Sequence, residues 1–395
     1  MQKADLLRWN GRAAPRALFV QATEPAAYPP LIHAASLLAE AGWEVVFLSA
    51  PIAGSTLTLP RHRRISAYAI SPRPSHVMNK RSYAAYAAKA ACLALQLQPD
   101  VVYASDVLGA GPGLLAARLA NARLVYHEHD SPAPGTLPPW VARLRAAAAR
   151  RAALVVFPNE ARARIAQNDL GCADDQLRVV WNVPRRSELP SITPAPPDTP
   201  LLLYYHGSIT PDRLPKAVID SVRQLAGRAR LRLVGYEAPG APGYVRHLIE
   251  QGRVRGIEPV IDYAGELPTR SDILAAAAQA QIGLALVPHD HSDLNLRHMT
   301  GASNKPYDYM AAGLALLVSD LPDWRAMFIT RGYGLGCDPT DPQSIGSALQ
   351  WFIDHPVERQ AMGMRGRSMI EQAWNYDTEF SSLLAALSGR ASQNL

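Results

Sequence analysis

The segment Ser303-Asn304-Lys305-Pro306-Tyr307-Asp308-Tyr309-Met310-Ala311-Ala312-Gly313 sets capping residues, a cation, an acid and a glycine stop at helical spacing. Ser and Asn are favoured where helices begin and Gly where they end. The apolar run Leu314–Val318 follows at once and predicts a strand. A helix start presents unpaired N–H groups and the positive end of the dipole, so anions bind there. Lys305 adds a point charge of the kind a diphosphate uses. Asp308 lies three residues further, near the same face, and could accept hydrogen bonds from sugar hydroxyls. The chain holds 40 Lys+Arg, of which only Lys3, Lys80, Lys89, Lys216 and Lys305 are lysines. In so arginine-rich a chain, a lysine at this helix start reads as more than surface filler.

Short apolar runs alternate with helix-length stretches on both sides of this segment. In the first half, strands are expected at Ala17–Ala22, Glu44–Ser49, Ile65–Ile70, Val101–Ser105, Arg123–Val125, Ala153–Phe157 and Leu177–Trp181, with helices such as Leu31–Ala41 and Tyr83–Leu97 between them. In the second half they are expected at Leu201–Tyr205, Leu231–Val234, Val260–Tyr263, Ile282–Val287 and Leu314–Val318. Helices are expected there at Lys216–Leu225, Tyr244–Gly252, Asp272–Ala280, Lys305–Ala312 and Ser344–Ile353, and two more, Val357–Ala373 and Tyr376–Leu387, close the chain. This alternation predicts an α/β chain of two doubly wound, Rossmann-like domains. The proline-dense stretch Val183–Pro200 separates them. The expected boundaries are 1–190 for the first domain, 191–200 for a semi-rigid linker and 201–374 for the second. A last helix, 375–395, is expected to pack back toward the first domain. Sheets of this kind bind ligands beyond their carboxyl strand ends, so a site in a cleft between two facing domains is expected.

A length of 395 residues suits two buried cores, and 48% hydrophobic with 19% charged residues is an ordinary globular balance. The net charge of +6 and pI near 9.3 suit an anionic ligand or an acidic membrane surface, but no compact Lys/Arg block marks a nucleic-acid arm. Three dispersed cysteines, Cys92, Cys172 and Cys337, form neither a disulfide framework nor a metal pair, so a cytoplasmic setting is expected. Met1 to Arg16 carries charges and no apolar core, unlike a secretory signal, and no run of about 18 apolar residues suits a membrane span.

Other motifs sit at strand ends. Tyr126-His-Glu-His-Asp130 follows the strand Arg123–Val125, and His129 could orient a substrate hydroxyl or support a proton transfer. His127 and His129, two apart, share a face while the chain is extended. With His289 and His291 they allow a metal reading, although Glu128, Asp130, Asp290 and Asp293 give no unique ligand set. Gly109-Ala-Gly-Pro-Gly113 resembles a dinucleotide loop but lacks the third glycine, where Leu114 stands, and reads as helix packing. Tyr205-His-Gly-Ser-Ile-Thr-Pro-Asp-Arg213 offers Gly207 for close ligand approach and Arg213 for a phosphate. Gly265-Glu266-Leu267-Pro268 could present backbone to a nucleobase edge. Trp140–Arg151 carries four arginines among alanines and reads as a solvated helix in preference to a membrane-lying one.

With these residues in place, the chain resembles the retaining, nucleotide-sugar-dependent glycosyltransferases of the GT-B architecture, the large bacterial "group 1" family. Ser303–Asp320 is similar to that family's NK-[FY]-E-Y-M-A-A-G-x-P-V segment, Pro99–Asp106 to PDVVHAHD and Tyr126–Asp130 to YDxHE; Ile282–Pro288 and Gly334–Pro339 also match. The resemblance implies that His129 lies near the reacting sugar and that Arg213 and Lys305 hold the diphosphate. It implies further that Asp308 binds the ribose hydroxyls and that Asn304 caps the helix and orients Lys305. Gly207, Glu266 and Leu267 complete the donor site. It implies no metal or cofactor, a UDP- or GDP-linked sugar as co-substrate, a carbohydrate or lipid-linked acceptor, no nucleic acid, and peripheral contact with the inner face of the membrane. Three departures stand out. Asp308 replaces the usual second Glu of Glu-x7-Glu, Thr300 stands where the first would be, and Ser208 replaces a common arginine. Alternatives are a non-catalytic GT-B-like binding subunit, a sugar-nucleotide epimerase and a metal-dependent hydrolase.

Overall fold

The computed structural model describes residues 14–50, 59–70, 79–133, 135–192, 200–225, 227–238, 240–253, 260–291 and 293–389. Contacts divide the chain into two compact units, residues 1–182 with 376–395, and residues 183–375. Most of the proline-rich segment 191–200 lies outside the described residues. Val183 to Pro190, expected at the end of the first domain, goes with the second unit. Glu188 binds Arg270 and the Pro190 carbonyl accepts from Arg367.

The first unit is built on a parallel sheet of β1 (Arg16–Gln21), β2 (Glu44–Ser49), β3 (Ile65–Ala69), β4 (Val101–Ser105), β5 (Arg123–His127), β6 (Leu154–Phe157) and β7 (Leu177–Val179). Their order across the sheet is β3-β2-β1-β4-β5-β6-β7. Leu18, Phe19 and Val20 are all fully buried, as a strand covered on both faces requires. One face carries Phe19, stacked on Tyr103 at 4.5 Å, and the other joins the core of Leu18, Val46, Val102, Tyr126 and Val155. The helix Asp106–Leu119 contains the whole Gly109–Gly113 segment. A Cβ at Gly109 would stand 2.6 Å from the Val20 carbonyl oxygen, so these glycines serve close helix-on-strand packing. The closing residues pack on this unit too: Arg123 donates to the Ala386 and Leu387 carbonyls, and Tyr376 meets His33 edge-on.

The second unit holds β8 (Leu201–Ile209), β9 (Ala229–Glu237), β10 (Ile261–Gly265), β11 (Ile282–Ala285), β12 (Ala315–Ser319) and β13 (Gly334–Cys337). They pair in parallel in the order β10-β9-β8-β11-β12-β13 over a core including Leu203, Leu231, Leu284 and Leu317. In both sheets the chain reverses its direction of travel beside the first strand, between β1 and β4 and between β8 and β11. Sheets wound in this way open a ligand crevice at such a switch. The helix Asn304–Ala311 is the crossover from β11 to β12, and its start therefore stands at the carboxyl edge of the sheet. No helix among the described residues is long and apolar enough to cross a membrane.

Candidate active site

In the second unit, β8 runs straight into the groups singled out by sequence. Gly207 takes φ +102°, open to glycine but not to a side chain without strain. A Cβ there would lie 3.5 Å from Lys305 Nζ, so the lysine head stands at ordinary contact distance from this position. Arg213 donates to Ser208 Oγ at 3.0 Å, and Lys305 Nζ stands 5.3 Å from the Tyr205 ring centre. The structure thus brings Gly207, Ser208, Arg213 and Lys305 together at the carboxyl end of β8. Burial, then the Arg213 charge, pulls the Lys305 ammonium down to about 7, with Asp308 opposing. The Arg213 charge thus disfavours the charged lysine beside it, and an anion between them would restore it.

The helix start departs from expectation. Ser303 is the N-cap but makes no side-chain capping bond. Asn304 is the first helical residue, not the cap, and its buried Oδ1 has no hydrogen-bond partner among the described residues.

Asp308 departs further. It is fully buried, and Arg270 forks onto it at 2.6 and 3.1 Å while His206 Nε2 stands 3.3 Å away. The carboxylate expected to accept ribose hydroxyls is therefore engaged on both oxygens. Burial raises its pKa, but Arg270 and His206 outweigh burial and hold it below the usual range. Arg270 continues to Glu188 at 2.8 Å, giving a charged chain Glu188–Arg270–Asp308 that ends on the His206 ring. His206 itself is lowered by burial, against the pull of Asp308. Glu266 is exposed and Leu267 partly buried in the turn after β10, at the sheet edge two strands from β8. Arg270, at the start of the next helix, ties that turn to Asp308. Thr300, at the position of the usual acid, donates to Asp323 Oδ2.

In the first unit the carboxyl end of β5 carries His127, Glu128 and His129. Glu128 is fully buried, takes Arg145 in a two-point ion pair at 2.7 Å and accepts from Tyr126 Oη at 2.6 Å. The helix Pro139–Arg151, expected to be solvated, thus turns Arg145 inward because a buried carboxylate needs a cation. Tyr103 Oη lies 2.7 Å from His127 Nδ1, and the rings of His127 and His129 are 3.9 Å apart. Burial, then the Arg162 charge, pulls His129 down to about 3, so its imidazole is neutral at pH 7. Such a ring offers one donor and one acceptor and suits orienting a hydroxyl better than trading protons near neutrality. Burial, then the Asp130 charge, raises the nearby Asp106 to about 7. Among the described residues no group of three or more His, Cys, Asp or Glu is placed to hold a metal ion. His291, the second H-x-H element, stands 3.6 Å from Asp212.

Residues 31–183 match the family model of Glycosyltransferase Family 4, and residues 213–385 match that of a glycosyl transferase-like family. The chain thus carries a glycosyltransferase family match in each half. HepE of Anabaena, solved with UDP and glucose, superposes on the protein with a TM-score of 0.71 at 18% identity, over 95% of this chain and 100% of that one. Sucrose-phosphate synthase of Thermosynechococcus elongatus gives 0.67 at 14%, over 96% and 98%. A glycosyltransferase of Rickettsia africae gives 0.70 at 11%, over 95% and 98%. At these identities the likeness is one of fold. No curated protein sequence matches the chain.

Sequence reasoning passed over Arg270, His206, Glu188, Asp106 and Arg162. Asp106, the last residue of the Pro99–Asp106 match, and His206, within the Tyr205–Arg213 segment, stood in motifs already singled out. The other three act through contacts distant in sequence, which no local pattern records.

Proposed function

We propose that this protein is a glycosyltransferase moving a sugar from a UDP- or GDP-linked donor to a carbohydrate or lipid-linked acceptor, with retention at the anomeric carbon, in bacterial polysaccharide or glycoconjugate synthesis. The observation that carries the reading is the convergence of Lys305 and Arg213 beside Gly207, next to a helix start without a side-chain cap. The solved complex of HepE with UDP and glucose supports a nucleotide-sugar donor on this fold.

The anomeric C–O bond to the diphosphate breaks, and a bond to the acceptor oxygen forms on the same face. The acceptor proton passes to the departing phosphate oxygen. Lys305, Arg213 and the amides of the helix start stabilise the leaving charge, a task they perform without a metal. Neutral His129 orients a sugar hydroxyl. Gly207, Glu266, Leu267 and Asn304 line the donor. Asp308 fixes Arg270 and His206, and contact with the ribose requires one of these to give way on binding. The enzyme is expected in the cytoplasm, touching the inner face of the membrane when its acceptor is lipid-linked.

The test is a panel of UDP- and GDP-sugars, read by thermal shift and by release of free nucleotide in the presence of EDTA. One sugar nucleotide should raise the melting temperature and be turned over, and Lys305→Ala should abolish both while remaining folded. Wild-type turnover in Lys305→Ala would remove the assignment. Thr300 in place of an acid favours a second reading, a subunit that binds without turnover. Stabilisation with no nucleotide released would select it.

A further inference from the structure

Two charged side chains close on one peptide of the first unit. The His129 N–H donates to Asp106 Oδ1 at 2.9 Å, and Arg162 Nη1 donates to the His129 carbonyl at 2.8 Å. Arg162 is 2% exposed and is set by its own helix start, where Asn159 Oδ1 accepts the Arg162 N–H at 2.8 Å. It also stands 3.8 Å from the Asp130 carboxylate. Asp106 reaches the peptide from φ +57°, the left-handed region. A side chain held there costs on the order of 1 kcal/mol and persists where its surroundings require it.

The ring carried by this peptide is flanked by His127, 3.9 Å away, and Tyr28, 5.5 Å away, measured between centroids. His129 is only 5% exposed, yet neither ring nitrogen has a hydrogen-bond partner among the described residues. A buried imidazole with two unmet nitrogens weakens the resting protein. A bound hydroxyl, donor and acceptor at once, would meet such a group.

We infer that Asp106 and Arg162 are positioning residues that clamp the His129 peptide, so that its imidazole receives a substrate hydroxyl without reorganising. Neither of them touches substrate. The inference rests on the reading above for what His129 meets; the clamp itself does not depend on it.

Asp106→Gly separates the two roles this residue could have. Glycine relieves the backbone and deletes the carboxylate. A purely structural Asp106, whose loss strands the His129 N–H, would give a less stable protein with normal turnover. The clamp predicts, in the folded variant, a His129 Hε1 NMR resonance that is shifted or broadened. It also predicts kcat down about tenfold or more and donor KM nearly unchanged, as small misplacements of a contact group do. The donor probe is UDP-glucose or GDP-mannose, whichever the wild type turns over. Asp106→Asn keeps an acceptor oxygen and should return the resonance and most of the turnover. Arg162→Lys keeps the buried cation but loses the planar fork; it should move the same resonance, and it carries the test if Asp106→Gly fails to fold. A wild-type resonance and kcat in Asp106→Gly would overturn the clamp, as would an unmoved resonance in Arg162→Lys. If neither sugar nucleotide is turned over by the wild type, the transferase reading fails and the resonance alone decides the clamp.

Discussion

At Asp308 the protein keeps an anion where water does not reach, and the cost is met by Arg270 and His206. Removing one member of such a buried pair strands the other, so Asp308→Ala should cost about 3 kcal/mol in urea unfolding; a change below about 1 kcal/mol would mean that Arg270 escapes to solvent. His129 gives a second prediction at this scale. Its folded pKa, about 3, lies below the unfolded value near 6.5. Below pH 6.5 the unfolded chain takes a proton that the folded chain refuses, so the contribution of His129 is present above 6.5 and is lost as pH falls toward 3. His127 works in the same sense. Asp106, raised to about 7, works in the opposite sense between its unfolded value and 7. His129→Gln should therefore lose about 2 kcal/mol less than the wild type between pH 6.5 and 5, measured by urea unfolding at both values. Equal losses would place His129 in water. What sequence showed of these residues was their type and strand-end position. It did not show that Glu128 is spent on Arg145 or Asp308 on Arg270, because both partners come from other elements.

Among elements, the helix Asn304–Ala311 is fixed by what lies beneath it. Tyr309 is fully buried against β11, and a Cβ at Gly283 would stand 2.2 Å from its ring. The Tyr309 hydroxyl also accepts the His206 N–H at 3.2 Å, which ties the helix to β8. Gly283→Ala should therefore push the helix off the sheet, costing about 1–3 kcal/mol and weakening donor binding together with stability. Unchanged donor affinity would show that Lys305 is held independently of Tyr309. This helix was legible because its glycine stop and the strand Ala315–Ser319 follow in sequence. The alternation of apolar runs likewise located the other strands except β13, Gly334–Cys337, whose two glycines leave no apolar run. The cap was misplaced by one residue, since Ser and Asn are both good caps and only the backbone decides between them. The proline-dense segment hid that Val183–Pro190 packs on the second unit, through Glu188 and Arg367.

For the whole molecule, two doubly wound sheets followed from sequence because parallel strands buried on both faces read as continuous apolar runs. The order of strands within each sheet did not follow, since alternation is silent about which strand neighbours which. The central claim is that the second unit receives a nucleoside diphosphate on Lys305 and Arg213. Lys305, near 7 in the free protein, is mostly neutral at pH 8 and would charge against a diphosphate. Calorimetric titration of UDP-glucose and GDP-mannose at pH 8, in two buffers of different ionisation enthalpy, reads affinity and proton exchange together. The expected result is binding of one of them with net proton uptake, and in Lys305→Met an affinity lower by about tenfold or more with the uptake gone. Failure of both to bind, or the same affinity and uptake in Lys305→Met, would contradict the account.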